Sequence, residues 1–448
     1  MNERIKRFPI GGTHLPEEKH LTTGTPIVDL PIPEMVVIPM KQHLGVPVPI
    51  GVSLGQKVVR GQNLGNRASG LSARVHASVT GGVTGFPEIT LADGSKIPGV
   101  AIKPDFPGTN ASQDSQQIIL EPLKIDDLDP DAYKTAVIAR VEEAGIVGLG
   151  GATFPTHIKL DSKQLIDTVI VNGAECEPYI TVDDRLMQEK SELLFRGLEI
   201  VRRTVGAKQG YVACEINKPA ALERLREAAK AYPHLFTQPL DTRYPHGAEK
   251  HLVKAVLNRE IPMRALPGSV GVLVNNVQTV CAVAEAVDHG KPLCERVVTV
   301  SGPGVAEPKN LRIPLGSSIE SAIEFCGGTT TKEVSVILGG PMTGNKIEDL
   351  SIPVIKATSG IVCLTPEEYA ETGYMACIRC GSCVEVCPMY LPPNRMTTYV
   401  INDMIDEAVD TGLDACILCG ACQFVCPSKR PLVQWIKHGK AAAAAKRK

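Results

Sequence analysis

Eight of the 14 cysteines in the chain stand in two identical runs near its end, and their spacing points to a specific chemistry. Each run reads C-x2-C-x2-C-x3-C-P, the spacing typical of proteins that bind two [4Fe–4S] clusters. In such proteins three closely spaced thiolates hold one cube, and the fourth, which precedes proline, reaches the other. The spacing therefore predicts one cluster held by Cys377, Cys380, Cys383 and Cys426. It predicts a second cluster held by Cys416, Cys419, Cys422 and Cys387.

A pair of zinc sites or disulfides is the alternative for these cysteines, but two complete copies with both prolines seldom arise for either purpose. The first residues contain no apolar run of signal-peptide length, and no stretch approaches 18 consecutive apolar residues. We therefore expect a reducing compartment, where clustered cysteines are more often metal ligands than disulfides. The other six cysteines are expected to be structural thiols: Cys176, Cys214, Cys281, Cys294, Cys326 and Cys363.

The segment between the two cysteine runs predicts how they are joined. Apolar residues recur at helical spacing over residues 394–410, with Asn394 as a candidate cap and Gly412 as a candidate end. One connecting helix favours a helical ferredoxin module, at residues 360–435, over the compact β type. The segment 436–448 reads as a basic tail, either solvated or in contact with anionic lipid or an acidic partner.

The rest of the chain must supply a source or a sink for electrons. At about 150 residues per domain, 448 residues suggest roughly three domains. The 47 basic and 49 acidic residues give a net charge of −2, so bulk charge offers no reason to expect nucleic acid as a partner.

The N-terminal part is rich in glycine, proline and short apolar segments. Residues 1–30 read as an extended arm, and residues 31–110 as a β domain with short strands at 35–39, 58–61 and 75–79. The turns around GVSLGQKVVRGQNLG resemble those of a lipoyl- or biotinyl-type barrel-sandwich. No carrier lysine stands at the expected hairpin tip, and Lys41 is interpreted as an ordinary lysine. Residues 100–128 look like a linker.

Helix and strand patterns alternate from residue 125 to residue 295. Helices are predicted at 130–144, 184–205, 218–231 and 247–258, and strands at 168–172, 211–215 and 270–275. This is α/β layering, with the loops at strand C-termini available for a ligand. The loop GLGGA at 148–152 is not a dinucleotide fingerprint, because Thr153 stands where the last glycine would be. Its glycines still let the backbone approach a flat or anionic ligand closely. Glu175 and Glu177 share a face if the chain between them is extended.

Four segments in this region carry a family resemblance: 147–160 (VGLGGATFPTHIKL), 171–187 (VNGAECEPYITVDDRLM), 244–252 (YPHGAEKHL) and 274–279 (VNNVQT). In this order they resemble the flavin- and NADH-binding subunit of respiratory complex I and its relatives. With the N-terminal GGTHLPEEKHLTT, the barrel-sandwich and the doubled cysteine runs, the chain resembles the C subunits of Rnf electron-transport complexes from residue 11 to about residue 435.

The resemblance implies roles for individual residues. Gly148, Gly150 and Lys159 would line and anchor FMN. Asn172, Glu175, Gly247, Asn275 and Asn276 would hold its ribityl chain and ring edge, with Thr279 at the phosphate end. Glu177 and Glu249 match carboxylates that contact the nicotinamide nucleotide, and Phe154 is placed either to stack on an aromatic ring or to fill the core.

The chain also departs from the complex I pattern. Leu149 and Thr153 replace an arginine and a glycine of the flavin loop, and Ala174 and Ala248 replace acidic residues. The complex I subunit has one differently spaced cluster motif instead of two ferredoxin runs. We therefore expect cofactor contacts that differ in detail.

Residues 296–350 read as strand, helix and strand, which resembles the soluble-ligand-binding β-grasp (SLBB) domain of the same relatives. The expected fold is thus multidomain, α/β and β. Its parts are a barrel-sandwich hybrid, a complex I flavin-subunit-like α/β domain, a β-grasp domain and a helical ferredoxin domain with two [4Fe–4S] clusters. The loop GGPMTG at 339–344 is expected to be structural, with a border on the flavin site or on the ferredoxin module as the alternatives.

The resemblance implies a subunit of an ion-translocating ferredoxin:NAD⁺ oxidoreductase. NAD(H) exchanges two electrons as hydride and a cluster carries one, so FMN can stand between them. The resemblance implies a peripheral subunit on the cytoplasmic face of the cell membrane. Its partners would be the other subunits of a membrane-bound Rnf complex, including an iron–sulfur subunit, with ferredoxin as an indirect partner.

Three alternatives stay open from the sequence. A cobalamin reductase of the same flavin and iron–sulfur design would share residues 130–430 but not the preceding barrel. An iron–sulfur subunit of a hydroxyacid or heterodisulfide enzyme would share only the cysteine runs. A relay scaffold would bind clusters but no nucleotide.

Overall fold

The computed structural model describes residues 4–65, 69–369 and 373–447, so the ends of the predicted arm and tail lie outside the described residues. The strands are β1 (Ile27–Asp29), β2 (Val36–Pro39), β3 (Lys57–Val58), β4 (Gly81–Gly85), β5 (Glu88–Thr90), β6 (Lys96–Pro104), β7 (Thr168–Gly173), β8 (Gln209–Glu215), β9 (Leu235–Leu240), β10 (Val272–Asn276), β11 (Glu295–Ser301), β12 (Lys309–Pro314), β13 (Ser335–Leu338), β14 (Asn345–Ile347) and β15 (Gly360–Leu364).

The helices are α1 (Pro130–Glu143), α2 (Thr156–Leu160), α3 (Val182–Glu189), α4 (Ser191–Thr204), α5 (Pro219–Ala229), α6 (Glu249–Leu257), α7 (Val277–His289), α8 (Ile319–Phe325), α9 (Ser382–Glu385), α10 (Pro393–Ile401), α11 (Ile405–Asp410), α12 (Ala421–Phe424) and α13 (Leu432–Lys446). Short 3-10 helices lie at Lys19–Leu21, Ala111–Gln113, Pro267–Val270 and Leu413–Ala415. Among the described residues, no helix is long and apolar enough to cross a membrane.

The α/β unit is built on a parallel sheet in the order β10-β7-β8-β9. The strand residues Val169 and Val171 pack with α1, α4 and α7 on one face, and Ile170 packs with α6 on the other. Both faces are therefore covered, which explains the unbroken apolar run of β7. Because all four strands are parallel, their C-terminal ends meet at one edge of the sheet.

Two β units flank this sheet. In the barrel unit, β2, β6, β4 and β3 pair in that order and β5 joins β6. Of the predicted strands, 35–39 is present as β2, whereas 58–61 is reduced to β3. Residues 75–79 form only an isolated bridge, through His76, to Asn63. In the β-grasp unit a six-stranded sheet runs β1-β12-β11-β15-β13-β14, with α8 packed on it.

The N-terminal arm is extended, as predicted, but it is packed along the other units. Strand β1 pairs in parallel with β12, so the arm completes the β-grasp sheet. Closer to the N-terminus, Lys6 and Thr13 form β-bridges with Leu240 and Tyr244, respectively. The Phe8 ring is fully buried beside the rings of His246 and His251. The arm therefore ties the β-grasp unit to the α/β unit.

Two predicted long helices are each broken in two. The helix predicted at 184–205 is α3 and α4, because Lys190 leaves the helical region with φ −132°. The break lets α3 pack on α5 while α4 packs on α7. The helix predicted at 394–410 is α10 and α11, because Asp403 adopts a φ of 56°. The amphipathic pattern continues through both breaks, so it does not reveal them.

The ferredoxin unit is helical within residues 373–447, as predicted. Its C-terminal segment is not a free tail, because α13 continues to Lys446 and buries Ile436 and Ala443 against α10 and α11. Lys446 pairs with Asp406 at 3.1 Å, and Arg447 pairs with Asp414 at 2.7 Å. The predicted basic tail is therefore mostly a packed helix whose charges are partly neutralised.

Candidate functional site

A cavity of about 750 Å³ lies at the C-terminal edge of the parallel sheet. Loops that follow α1, β7, β9 and β10 form its inner wall, and loops of the barrel and β-grasp units close it. Its size is within the range of small-molecule and cofactor sites. The cavity is therefore where the sheet geometry and the family resemblance both place a ligand.

The structure brings half of the predicted flavin and nucleotide residues to the cavity wall. Those that line it are Gly150, Asn172, Glu175, Glu177, Gly247 and Asn276. The remaining six lie behind the wall or beside it: Gly148, Phe154, Lys159, Glu249, Asn275 and Thr279.

The glycine-rich loop is a closed turn that is tied to α7 through Thr279. The Gly148 N–H donates to the Phe154 carbonyl at 2.9 Å, and the Thr153 N–H donates to the Gly148 carbonyl at 3.0 Å. The Leu149 N–H donates to the Thr279 hydroxyl at 2.8 Å. Thr153 takes the left-handed φ of 47° that glycine would adopt more readily. Gly148, Phe154 and Thr279 thus shape the loop, and Gly150 presents its backbone to the cavity.

The asparagines at the end of β10 play two different parts. Asn276 caps α7 by accepting from the Gln278 N–H at 2.9 Å, and its amide donates to Asp183 at 2.7 Å. The Nδ2 group of Asn275 is buried without a hydrogen-bond partner. Buried amide donors are nearly always bonded, so this orphan fits a site that a polar ligand completes.

Lys159 and Glu249 point toward each other beside the cavity. Their charged atoms are 3.7 Å apart, and Lys159 also donates to the Val274 carbonyl. Burial lowers the pKa of Lys159, and Glu249 opposes that change. Neither side chain lines the cavity, and their contacts with the FMN phosphate and the nucleotide stay predictions.

Glu175 and Glu177 do not share a face, because Glu175 has a φ of 48° and the chain turns there. The Glu175 carboxylate accepts from the N–H groups of Asp183 and Asp184, at 2.6 and 3.1 Å, at the start of α3. Burial raises the pKa of Glu175 to about 8, and Lys19 opposes that rise. The two carboxylates therefore take separate partners.

Glu177 is held by the GGPMTG loop of the β-grasp unit. Its carboxylate accepts from the Met342 N–H at 3.0 Å and from the Thr343 hydroxyl. Gly340 lies so close that a Cβ there would be 2.3 Å from a carboxylate oxygen. Burial raises the pKa of Glu177. The loop thus borders the cavity. The sequence favoured a purely structural role for this loop, with a border on the flavin site as an alternative.

The cavity and its surroundings also contain charged residues to which the sequence assigned no role. Arg296 is buried and donates to the carbonyls of Leu149, Lys356 and Thr358. Burial raises the pKa of Asp183, next to Asn276, to about 6. Lys19 is buried just beneath the loop of Glu177, where it donates to the Glu177 carbonyl at 2.9 Å. Lys19 and Asp183 fall in segments that carry the family resemblance, but no spacing signal marks Arg296.

The cysteines of the two runs meet in the two interleaved sets that their spacing predicts. One small cavity is lined by Cys377, Cys380, Cys383 and Cys426. A second is lined by Cys387, Cys416, Cys419 and Cys422. The described residues contain no disulfide, and no three of their Cys, His, Asp or Glu side chains converge as ligands of a single ion. Thiols spread around a cavity suit a cube, in which each thiolate binds a separate corner.

The second cysteine set adjoins the large cavity. Cys419 lines both spaces, and the Tyr244 hydroxyl donates to the Cys419 carbonyl at 2.5 Å. In the first set Cys377 and Cys380 are exposed. One set is therefore proximal to the cavity and the other lies at the surface. Of the remaining thiols, Cys176 is partly exposed; Cys214, Cys281, Cys294, Cys326 and Cys363 are buried.

Comparison with known families divides the chain into the same four kinds of unit. Residues 7–107 match the RnfC barrel sandwich hybrid domain, and residues 141–285 match the Nuo51 FMN-binding domain. Residues 297–346 match the SLBB domain, and residues 373–430 match a 4Fe–4S dicluster domain. The expected fold class is thereby confirmed, as are FMN and two [4Fe–4S] clusters as cofactors.

Three curated relatives are similar over most of their own length. The C subunit of the Na⁺-translocating ferredoxin:NAD⁺ oxidoreductase complex of Acetobacterium woodii is 41% identical over 98% of this chain and 97% of its own. The C subunit of the ion-translocating oxidoreductase complex of Rhodobacter capsulatus is 40% identical over 87% of this chain and 74% of its own. The C subunit of the proton-translocating ferredoxin:NAD⁺ oxidoreductase complex of Clostridium ljungdahlii is 37% identical over 86% and 83%.

Among solved structures, a subunit of the NAD⁺-reducing [NiFe]-hydrogenase in its H₂-reduced state aligns with a TM-score of 0.47 and 19% identity. The alignment covers 72% of this chain and 69% of the hydrogenase chain.

Proposed function

Because the chain belongs to the family of C subunits of ion-translocating oxidoreductase complexes, we propose that it exchanges electrons between NAD(H) and two [4Fe–4S] clusters through FMN. One observation carries this proposal: Cys419 lines the same cavity as Gly150, Asn172 and Gly247. When bound there, FMN exchanges two electrons with NAD(H) and single electrons with a cluster. The family makes the chain one subunit of a membrane-associated complex.

The inner wall of the cavity fits FMN. Gly150 brings bare backbone to the wall, and Asn172 is held in place because its amide donates to the Gly247 carbonyl at 2.8 Å. Asn276 and the unpartnered amide of Asn275 follow at the end of β10. Gly148 and Thr279 fix the loop from behind. Glu175 and Glu177 also line this wall, and we assign Glu177 to contact with NAD(H).

The two cysteine sets would hold the clusters at different depths. The proximal set, Cys387, Cys416, Cys419 and Cys422, adjoins the cavity. The distal set is Cys377, Cys380, Cys383 and Cys426, and the exposed side chain of Ile378 lines its space. Tyr374 and Met375, which precede this set in the chain, are each at least 60% exposed as well. Exposed apolar side chains next to a redox centre suit a docking surface. We assign this surface to an iron–sulfur subunit of the complex, through which ferredoxin would act indirectly.

The location proposed for this subunit is the cytoplasmic face of the membrane, where it is peripheral. Its support is chemical: both cysteine sets need reduced thiols, which a reducing compartment maintains. The two relatives that specify an ion name sodium and protons respectively, so similarity at this level does not select the coupling ion.

Cofactor content after anaerobic purification tests the proposal. We expect about eight iron atoms per chain, because each cluster holds four, together with one FMN. NADH should then bleach the visible flavin absorbance. About four iron atoms, or no flavin, would contradict the assignment, and flavin that NADH does not bleach would favour the relay scaffold.

A matched pair of cysteine variants tests the interleaving. Cys387→Ala should remove the proximal cluster although Cys387 belongs to the first run, and Cys426→Ala should remove the distal one. Because the proximal set adjoins the cavity, flavin absorbance should respond to Cys387→Ala more than to Cys426→Ala. Iron content and EPR of each variant measure this, and loss of the opposite cluster would show that each run binds its own.

A further inference from the structure

The outer wall of the cavity comes from the barrel unit, to which the sequence assigned no task. Residues Lys41 to Leu44 and the turn 91–95 line it. The Leu44 N–H donates to the Thr153 carbonyl at 3.0 Å, and the Gln42 side chain accepts from the Lys356 N–H at 3.1 Å. This barrel segment is therefore fixed against the glycine-rich loop on one side and the β-grasp unit on the other.

Nearly all the charged groups on the cavity wall are already bonded within the protein. Glu175 accepts from α3, Glu177 from the loop at Met342, and Asp183 from Asn276. The Arg296 guanidinium donates its hydrogen bonds to three backbone carbonyls. Across the cavity, Asp93 accepts from the N–H and hydroxyl of Ser95, at 2.9 and 2.6 Å. These groups leave little positive charge for an anionic ligand.

Lys41 is the exception. It lies on the outer wall, partly exposed, and makes no hydrogen bond or ion pair with any residue that the structure describes. The neighbouring His43 adds no charge, because burial lowers its pKa to about 4. Of the cations that line the cavity within the described residues, Lys41 is thus the one with its ammonium group available.

We propose that Lys41 binds the pyrophosphate of NAD(H), so that the barrel unit forms one side of the nucleotide site. The proposal rests on the function proposed above. A pyrophosphate brings two negative charges into a cavity whose inner wall carries Glu175, Glu177 and Asp183, so it needs a free cation. FMN is assigned to the inner wall, opposite Lys41, which leaves the outer wall to the second nucleotide. Lys41 is then a binding residue, contrary to the ordinary role expected from sequence.

The test compares Lys41→Ala and Lys41→Arg with Lys103→Ala in the flavin-loaded protein. Lys103 is an exposed lysine on β6 of the same unit that does not line the cavity. ADP-ribose, which contains the pyrophosphate but no nicotinamide, is titrated by calorimetry. We expect binding weaker by about 10- to 100-fold in Lys41→Ala, the usual effect of losing a charge-assisted hydrogen bond. Lys41→Arg should stay within a few-fold of the parent, and Lys103→Ala should be unchanged.

Reduced nicotinamide riboside, which has no phosphate, provides the second readout. Lys41→Ala should oxidise it at the parent rate while its KM for NADH rises. Unchanged ADP-ribose binding in Lys41→Ala would overturn the inference, and so would equal losses with both reductants. Loss of FMN from this variant would show that Lys41 serves the flavin instead. Failure of the parent protein to oxidise NADH would contradict the proposed function itself, a different result from any of these.

Discussion

At the scale of single residues, the cavity depends on carboxylates whose positions are set by protein donors. Glu177 illustrates this, because two donors from another unit hold its carboxylate while its own carbonyl accepts from Lys19. A residue held at both its carboxylate and its backbone carbonyl loses little conformational freedom when a nucleotide binds. Because these contacts already fix the position of the Glu177 carboxylate, the informative substitution is one that keeps its shape and removes its charge.

Glu177→Gln should weaken the reaction with NADH by about tenfold while FMN stays bound. Glutamine keeps the shape and one acceptor oxygen but removes the charge, and hydrogen bonds to charged groups are the stronger ones. The measurement is the NADH concentration needed to bleach half of the flavin. Glu223→Gln, on the exposed face of α5, is the control, and release of FMN would show that Glu177 supports the flavin instead.

The cysteines and the flavin residues differ in how far sequence could predict them. Ligand spacing within each cysteine run is local, so the two sets follow from the pattern, and the structure groups the thiols in the same way. Lys159 and Glu249 were assigned by resemblance, yet here they pair with each other at 3.7 Å. Lys41 could not be assigned, because only the packing of the barrel on the α/β unit brings it to the cavity.

At the scale of elements, the loop between β13 and β14 links the β-grasp unit to the site. It holds Glu177 through Met342 and Thr343, and the Met342 carbonyl also lies against Gly420 of the ferredoxin unit. This loop therefore touches both the cavity and the proximal cysteine set. The sequence showed its glycines but not the contact, because the partner is more than 160 residues away.

Gly340→Ala tests that loop. A Cβ at this position would overlap the Glu177 carboxylate, so either the loop or the carboxylate must move. We expect weaker NADH binding by about tenfold, as in Glu177→Gln, with both clusters retained. Gly82→Ala in β4 is the control, because nothing lies within 4 Å of its added Cβ. NADH binding equal to that of the parent would show that Glu177 does not depend on the loop.

The boundaries of the helices are the feature that apolar periodicity predicts least well. The apolar spacing of residues 184–205 and 394–410 runs unbroken through Lys190 and Asp403, although the backbone leaves the helix at both. The break at Lys190 lets α3 pack mainly on α5 and α4 mainly on α7, and the break at Asp403 lets both α10 and α11 pack on α13. Local periodicity does not encode these tertiary contacts. Strand β7 was predictable because its apolar run is buried on both faces.

At the scale of the whole molecule, a buried lysine and an exposed arginine join the units. Lys356 of the β-grasp unit donates to the Arg74 carbonyl of the barrel at 2.8 Å and to the Gly145 carbonyl after α1 at 2.6 Å. At the other end, Asp414 of the ferredoxin unit pairs with Arg264 of the α/β unit. Residues of all four units line the cavity, so these junctions fix its shape.

Lys356 should make stability depend on pH. Burial lowers its pKa to about 7 from an ordinary value of 10.5, so between these values the unfolded chain binds a proton that the folded chain does not. Stability from this group therefore rises as pH increases from about 7 to 10.5, and below pH 7 the cost of burying the cation is fully present. The melting temperature of the parent should rise by a few degrees over this pH range, and Lys356→Met should lack that rise. An equal rise in the parent and in Lys356→Met would contradict this role of Lys356. Lys103→Met is the surface control.

Electrons must pass between the cysteine-bound clusters and NAD(H) within this one chain if the proposed function is correct. The direct measurement starts from protein reduced chemically under anaerobic conditions, freed of excess reductant and then mixed with NAD⁺. We predict that absorbance at 340 nm rises as NADH forms while the EPR signals of the reduced clusters fade, and that flavin-depleted protein shows neither change. Clusters that stay reduced in the presence of NAD⁺, with flavin bound and no NADH formed, would contradict this function.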